Sequence, residues 1–250
     1  MANGTLTAEQ VLDELEFLAT VEHALIVEYL SVCCALGHDL EADEGGATTK
    51  QGRDAAGAAS ALAFGEMFRL KHMCFALVDA GRLPGLGRAT SITAGVESSL
   101  DPPSAAQLAH LVAREQALAS ALDERYVRLK GAVTSDPVFE GPLLEELRQI
   151  VVDEGPTHSG ALLGLQHALG EGELPADLLR ATRREAADSF EQRLLDASDR
   201  SYGLVLALLR ERFVPESFTS GTLSVKAMES LDQINRLLVQ RGLLPPFATA

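Results

Sequence analysis

The chain has 250 residues, 46% of them hydrophobic and 23% charged, with 21 basic against 36 acidic side chains and a formal net charge of −15 at pH 7. That length is ample for a hydrophobic core without disulfide or metal staples, and the composition is that of a soluble globular protein. So large an acidic excess repels phosphate backbones, which argues against nucleic acid and anionic membranes as partners.

The opening Met1-Ala-Asn-Gly-Thr-Leu-Thr lacks the basic and apolar regions of a signal peptide. The longest apolar run, around Ala24 to Gly37, is broken by Glu28 and reads as too short to span a membrane. Cys33, Cys34 and Cys74 make no disulfide framework. The expectation is a cytoplasmic protein with reduced thiols.

Helical periodicity dominates and strand alternation is almost absent. A first helix is expected from about Thr7 to Gly37, opened by the capping box Thr7-Ala-Glu-Gln10 and carrying the stripe Leu15, Leu18, Leu25, Tyr29, Val32, Leu36. Residues 39–54 are polar and Gly-rich and read as a loop. A second helix follows from about Ala55 to Gly81, where the glycine is a stop signal. The stretch Arg82 to Pro103 has no clear period and is long for a bare loop, so it is expected to cover something. A third helix runs from about Ser104 to Lys130, and a fourth from about Leu143 to Leu169, interrupted at Gly155-Pro156. Two further helices span about Ala176 to Phe213 and Leu223 to Arg241, before an extended Pro245-Pro246-Phe247. The expected architecture is all-α: one domain over residues 1–250, a four-helix bundle at about 7–169 with two added C-terminal helices at about 176–242.

What interrupts the apolar stripes is more informative than the stripes. Glu22 fills the missing slot between Leu18 and Leu25, Glu66 that between Leu62 and Leu70, and Glu115 that between Leu111 and Leu118. On the fourth helix Glu154 and His158 lie between Val151 and Leu162. Each of four helices thus carries one mid-helix carboxylate on its inward face. Four unpaired buried carboxylates would cost several kcal/mol each, so protons, with raised pKa values, or a bound pair of dications must offset them. Four Glu with His from four helices is a di-iron or di-manganese ligand set, and hard carboxylates with imidazole suit iron or manganese. The pattern departs from Glu-x-x-His twice. Arg69, not His, lies three residues after Glu66, with His72 one turn further along; and Glu154 and His158 are four apart, a spacing that still shares a helix face.

Val21-Glu-His-Ala-Leu-Ile-Val-Glu-Tyr-Leu30 resembles the "Leu-Glu-His-Ala … Gln-Tyr-Leu" opening helix of the ferritin-like domain of iminophenyl-pyruvate dimer synthases, enzymes of violacein-type bisindole biosynthesis. Glu66-Met-Phe-Arg-Leu with Leu77-Val-Asp-Ala-Gly81 is similar to that family's "Glu-Met-x-His-Leu … Leu-Leu-Asn-Ala-x-Gly", and Val152-Asp-Glu-Gly-Pro-Thr-His158 to its "Glu-Glu-Gly-Glu-Gly-His". Met228-Glu-Ser-Leu-Asp-Gln-Ile through Pro245-Pro-Phe247 resembles its closing helix and tail, so the likeness covers nearly the whole chain. The resemblance implies a ferritin-like bundle, a metal-site ancestry and a place in secondary metabolism, with an amino-acid-derived or aromatic substrate. It also admits Glu124 in place of Glu115, although only Glu115 joins the stripe.

Two readings stand at this point. In the first, a metal-dependent oxidase or oxygenase holds iron (two ions or one) or manganese on Glu22, Glu66, Glu115, Glu154 and His158. In the second, a metal-free condensing enzyme or cyclase uses the clustered carboxylates, with His72 or His158, as general acids and bases. Catalytic roles fall to Glu22, Arg69, His72 and Glu154. Arg69 either grips a substrate carboxylate at the rim or fills the place of a lost metal and pairs with Glu66 or Glu22. His72 is a displaced ligand, an acid/base group or a packing residue; His23 reads as structural, and Glu28 as a partner supporting the site. The partner is a small-molecule substrate, and apolar outer helix faces leave room for a homodimer.

Overall fold

The computed structural model describes residues 6–37, 49–89, 91–93, 96–97, 105–135, 139, 141–151, 158–170, 178–213 and 221–247. Among the described residues the regular structure is helical apart from one small strand pair. In chain order the helices are α1 (Ala8–Ala35), α2 (Lys50–Asp79), α3 (Ala105–Ser135), α4 (Gly141–Val151), α5 (His158–Leu169), α6 (Ser189–Arg212) and α7 (Gly221–Gln240). Between α2 and α3, β1 (Ser91–Thr93) pairs antiparallel with β2 (Val96–Glu97).

Local signals explain most helix ends. Thr7 caps α1 with a reciprocal Thr7–Gln10 capping box. At the end of α2, Gly81 takes φ +77° while Arg82 N–H reaches Leu77 O and Gly81 N–H reaches Val78 O, the Schellman pattern that satisfies the last carbonyls. Two starts differ from expectation. Helix α2 begins at Lys50, because Thr49 accepts from Gly52 N–H and so turns the supposed end of a loop into a cap. Helix α6 begins only at Ser189, where Asp188 accepts from Phe190 and Glu191 N–H. The preceding segment spends its backbone elsewhere: Arg180 and Ala181 N–H on Ala35 O, Thr182 and Arg183 N–H on Gly242 O. The Gly155-Pro156 interruption and Ser104 lie outside the described residues.

One core is shared by α1 to α5. Leu15, Leu18, Leu25, Tyr29, Val32 and Leu36 are all buried, as are Leu118, Leu122, Leu147, Leu162 and Leu165; a leucine so enclosed is worth about 1.5–3 kcal/mol. Ala55, Ala56, Ala59 and Ala63 line the buried side of α2, letting it approach α1 closely enough for Cys33 Sγ to reach Ala56 O. Smaller clusters join the C-terminal part to α1: Val27 with Tyr202, Leu206 and Phe247, and Ala35 with Ala181, Val239 and Leu244. The segment 82–89 lies along α1, with Ala89 N–H on Thr20 O and Leu86 buried against Cys74 and Phe213. Contrary to the sequence reading, α1 is long and apolar enough to cross a membrane, but most of its apolar stretch is buried against its neighbours.

Candidate functional site

Glu22 and Glu66 are fully buried, one on α1 and one on α2, where helical periodicity places them. Arg69, three residues beyond Glu66 on the same helix, turns inward between them. Its Nε lies 2.9 Å from Glu66 Oε2 and 3.4 Å from Glu22 Oε2, and its Nη2 also donates to Glu66 Oε2. Tyr126 of α3 closes the group by donating its hydroxyl to Glu22 Oε1 at 2.5 Å. Among the described residues, three helices therefore bring together one guanidinium, two carboxylates and one phenol.

The charges reinforce one another. Burial works against the Arg69 charge, but the Glu22 and Glu66 carboxylates outweigh it and hold the guanidinium above its ordinary value. Burial, and then the Glu22 charge, push the Tyr126 phenol well above the usual range, so it stays a donor. Arg69 is only 12% exposed and reaches no rim. Of its two expected roles, the structure has the pairing one, with both acids at once.

One turn beyond Arg69, His72 is buried and points its Nδ1 at Glu146 Oε2 of α4, 2.5 Å away. Its ring meets Phe68 edge-on at 4.3 Å between centroids. His72 Nε2 is buried with no hydrogen-bond partner among the described residues. Nearby, Asp79 has its carboxyl raised by burial and by the Glu146 charge.

Other expected residues divide clearly. His23 bonds Tyr202 Oη through Nε2 at 2.5 Å and faces Gly87 O through Nδ1 at 3.3 Å, tying α1 to α6 and to segment 82–89; burial lowers its pKa. Glu28 is buried on α1. Glu124 is exposed, away from the buried acids. The side chains of Glu115 and His158, and all of Glu154, lie outside the described residues. Tyr126 and Glu146 were not singled out from the sequence, though both stand on apolar rows: Leu118, Leu122, Tyr126 and Leu143, Glu146/Leu147, Ile150.

Among the described residues no three His, Cys, Asp or Glu side chains converge as a metal-binding group. Glu22 and Glu66, the two expected ligands that are described, do not fit a shared metal as they stand: the cation that bridges them is the Arg69 guanidinium, within hydrogen-bond reach of both. What this arrangement can do is offset buried carboxylates with a guanidinium and a phenol and keep protons on defined atoms. No protein-family model matches the chain, and no curated protein or solved structure matches it either.

Proposed function

We propose that the chain is an enzyme on a ferritin-like four-helix bundle, working as a metal-free condensing enzyme or cyclase by general acid–base chemistry. The observation that carries this reading is Arg69 seated between Glu22 and Glu66. A covalently attached cation stands where a bridging metal would be needed. Arg69 faces both acids, Tyr126 keeps its own proton and donates a hydrogen bond to Glu22, and the imidazole of His72 takes a proton from a substrate O–H, N–H or acidic C–H. By the resemblance to iminophenyl-pyruvate dimer synthases, the substrate is a small amino-acid-derived or aromatic compound.

The second reading, a di-iron-type oxidase, is favoured by one feature of the sequence: Glu154 and His158 share a helix face in the fourth apolar stripe. It requires Arg69 to leave its two carboxylates before iron or manganese could join them.

Two measurements separate the readings. Protein incubated anaerobically with iron(II) or manganese(II) and then desalted is expected to keep no stoichiometric metal, whereas Arg69→His, which restores Glu-x-x-His, gains it. One or two ions per wild-type chain would sink the metal-free reading and support the oxidase. In heavy water with a chelator present, the protein is expected to speed deuterium incorporation into aromatic 2-oxo acids or imines of aromatic amino acids. His72→Ala should slow that exchange by about 10²-fold or more.

A further inference from the structure

The pairing of His72 with Glu146 has a chemical consequence. A nitrogen 2.5 Å from a carboxylate oxygen must carry the hydrogen between them, because two acceptors would repel; Nδ1 is therefore the donor. The other nitrogen, Nε2, is enclosed and finds no acceptor among the described residues. In the substrate-free protein a hydrogen on Nε2 would be a buried donor with no acceptor among the described residues, which is costly. The ring is held from two further sides, edge-on against Phe68 and by its own position on the buried face of α2. Glu146 itself is anchored on α4 between the buried Leu147 and the half-buried Leu143.

We propose that Glu146 is a positioning residue that locks His72 in the Nδ1–H tautomer and leaves Nε2 as the lone-pair nitrogen of a sequestered base. The inference rests on the acid–base reading above and extends it: it names the atom that accepts the proton and the residue that keeps it available. In the forward step a substrate O–H, N–H or C–H bond breaks, its proton moves to Nε2 and its electron pair stays on the substrate. The imidazolium so formed is stabilised through Nδ1–H by the Glu146 carboxylate, and it later returns the proton to the product. Removing Glu146 alters no group that touches substrate, yet it takes away both the tautomer lock and the counter-charge.

The test is nitrogen-15 NMR of the histidine side chains in the full chain, with His72→Gln used to assign the His72 signals. At neutral pH the wild type is expected to show His72 as the Nδ1–H tautomer by about ten to one or more. In Glu146→Gln the amide can present its NH2 to Nδ1, so the ratio is expected to invert, with helix content unchanged by circular dichroism. Glu146→Asp, which keeps the charge, should restore the Nδ1–H form at least in part. A wild-type Nε2–H tautomer, or a ratio that Glu146→Gln leaves unmoved, overturns the proposal. If Glu146→Gln fails to fold, the wild-type spectrum still decides. No substrate or metal enters this measurement. Metal uptake by the wild type would therefore defeat the metal-free reading while leaving the tautomer result intact, and a wrong tautomer would defeat this proposal while leaving the Arg69 bridge intact.

Discussion

The Arg69 guanidinium is buried between two carboxylates, Glu22 and Glu66, and donates to both. Substitutions on its two sides should then be unequal. Arg69→Met takes the buried cation away from both acids and is expected to cost about 3–5 kcal/mol. Glu22→Gln removes one of the two charges that Arg69 faces while its amide oxygen still accepts from Tyr126, and is expected to cost less than about 1.5 kcal/mol. Urea unfolding of the two variants decides; equal losses would mean that Arg69 does not offset these acids. A second prediction concerns thiols. Burial pushes the Cys74 thiol up to about 12, and Cys33 is buried while Cys34 is partly open. Native protein at mildly alkaline pH should show one rapidly reacting thiol with a disulfide reagent, at Cys34, and three after unfolding. The positions of Glu22 and Glu66 could be read from the sequence because a helix repeats and an acid in a leucine slot stands out. Arg69, one turn from Glu66, was open to two roles, pairing among them; Tyr126 and Glu146 carried no such signal. A tyrosine in an apolar row looks like core, and a lone acid in an amphipathic turn looks like surface; which of them meet depends on how helices slide past one another, which the period of any one helix does not encode.

At the scale of elements, the start of α6 illustrates how a local cap decides a boundary that periodicity misplaces. Asp188 accepts from two backbone N–H groups, and the hydrogen bonds lower its pKa. Glu191, bonded to Arg183 and to Ala187 N–H, is lowered as well. Both carboxyls are lower folded than unfolded. The unfolded chain thus binds more protons as pH falls, and the stability they contribute is present above their ordinary values of 3.8 and 4.5 and lost on acidification through the lowered folded values. Amide exchange in the first turn of α6 is expected to accelerate in that acid window. Asp188→Asn, which keeps a capping oxygen that does not titrate, should blunt the effect. An acid response unchanged in the variant would remove Asp188 from the explanation. The same reasoning covers α2, whose Thr49 cap was hidden among residues that looked like loop because Gly52 follows so closely.

For the whole molecule, charge and connectivity matter most. A net charge of −15 makes the folded state repel itself. Raising salt from about 0.01 M to about 0.15 M should therefore raise the melting temperature, since the screening length falls from about 30 Å to about 8 Å. A melting point that falls with salt would show that ion pairs outweigh the repulsion. Helix α1 is the common wall, touching the core of α2 to α5 on one side and the clusters of α6, α7 and the tail on the other. The Arg69 bridge has a consequence for the order in which that wall is built. Glu66 and Arg69 are one turn apart on α2, so their pairing forms as soon as that helix winds, on the timescale of local structure rather than of tertiary search. Glu22 then arrives from α1 and meets a guanidinium already held in place on its own helix. The cation that these two buried acids share is thus placed by a single helix before the tertiary contact forms.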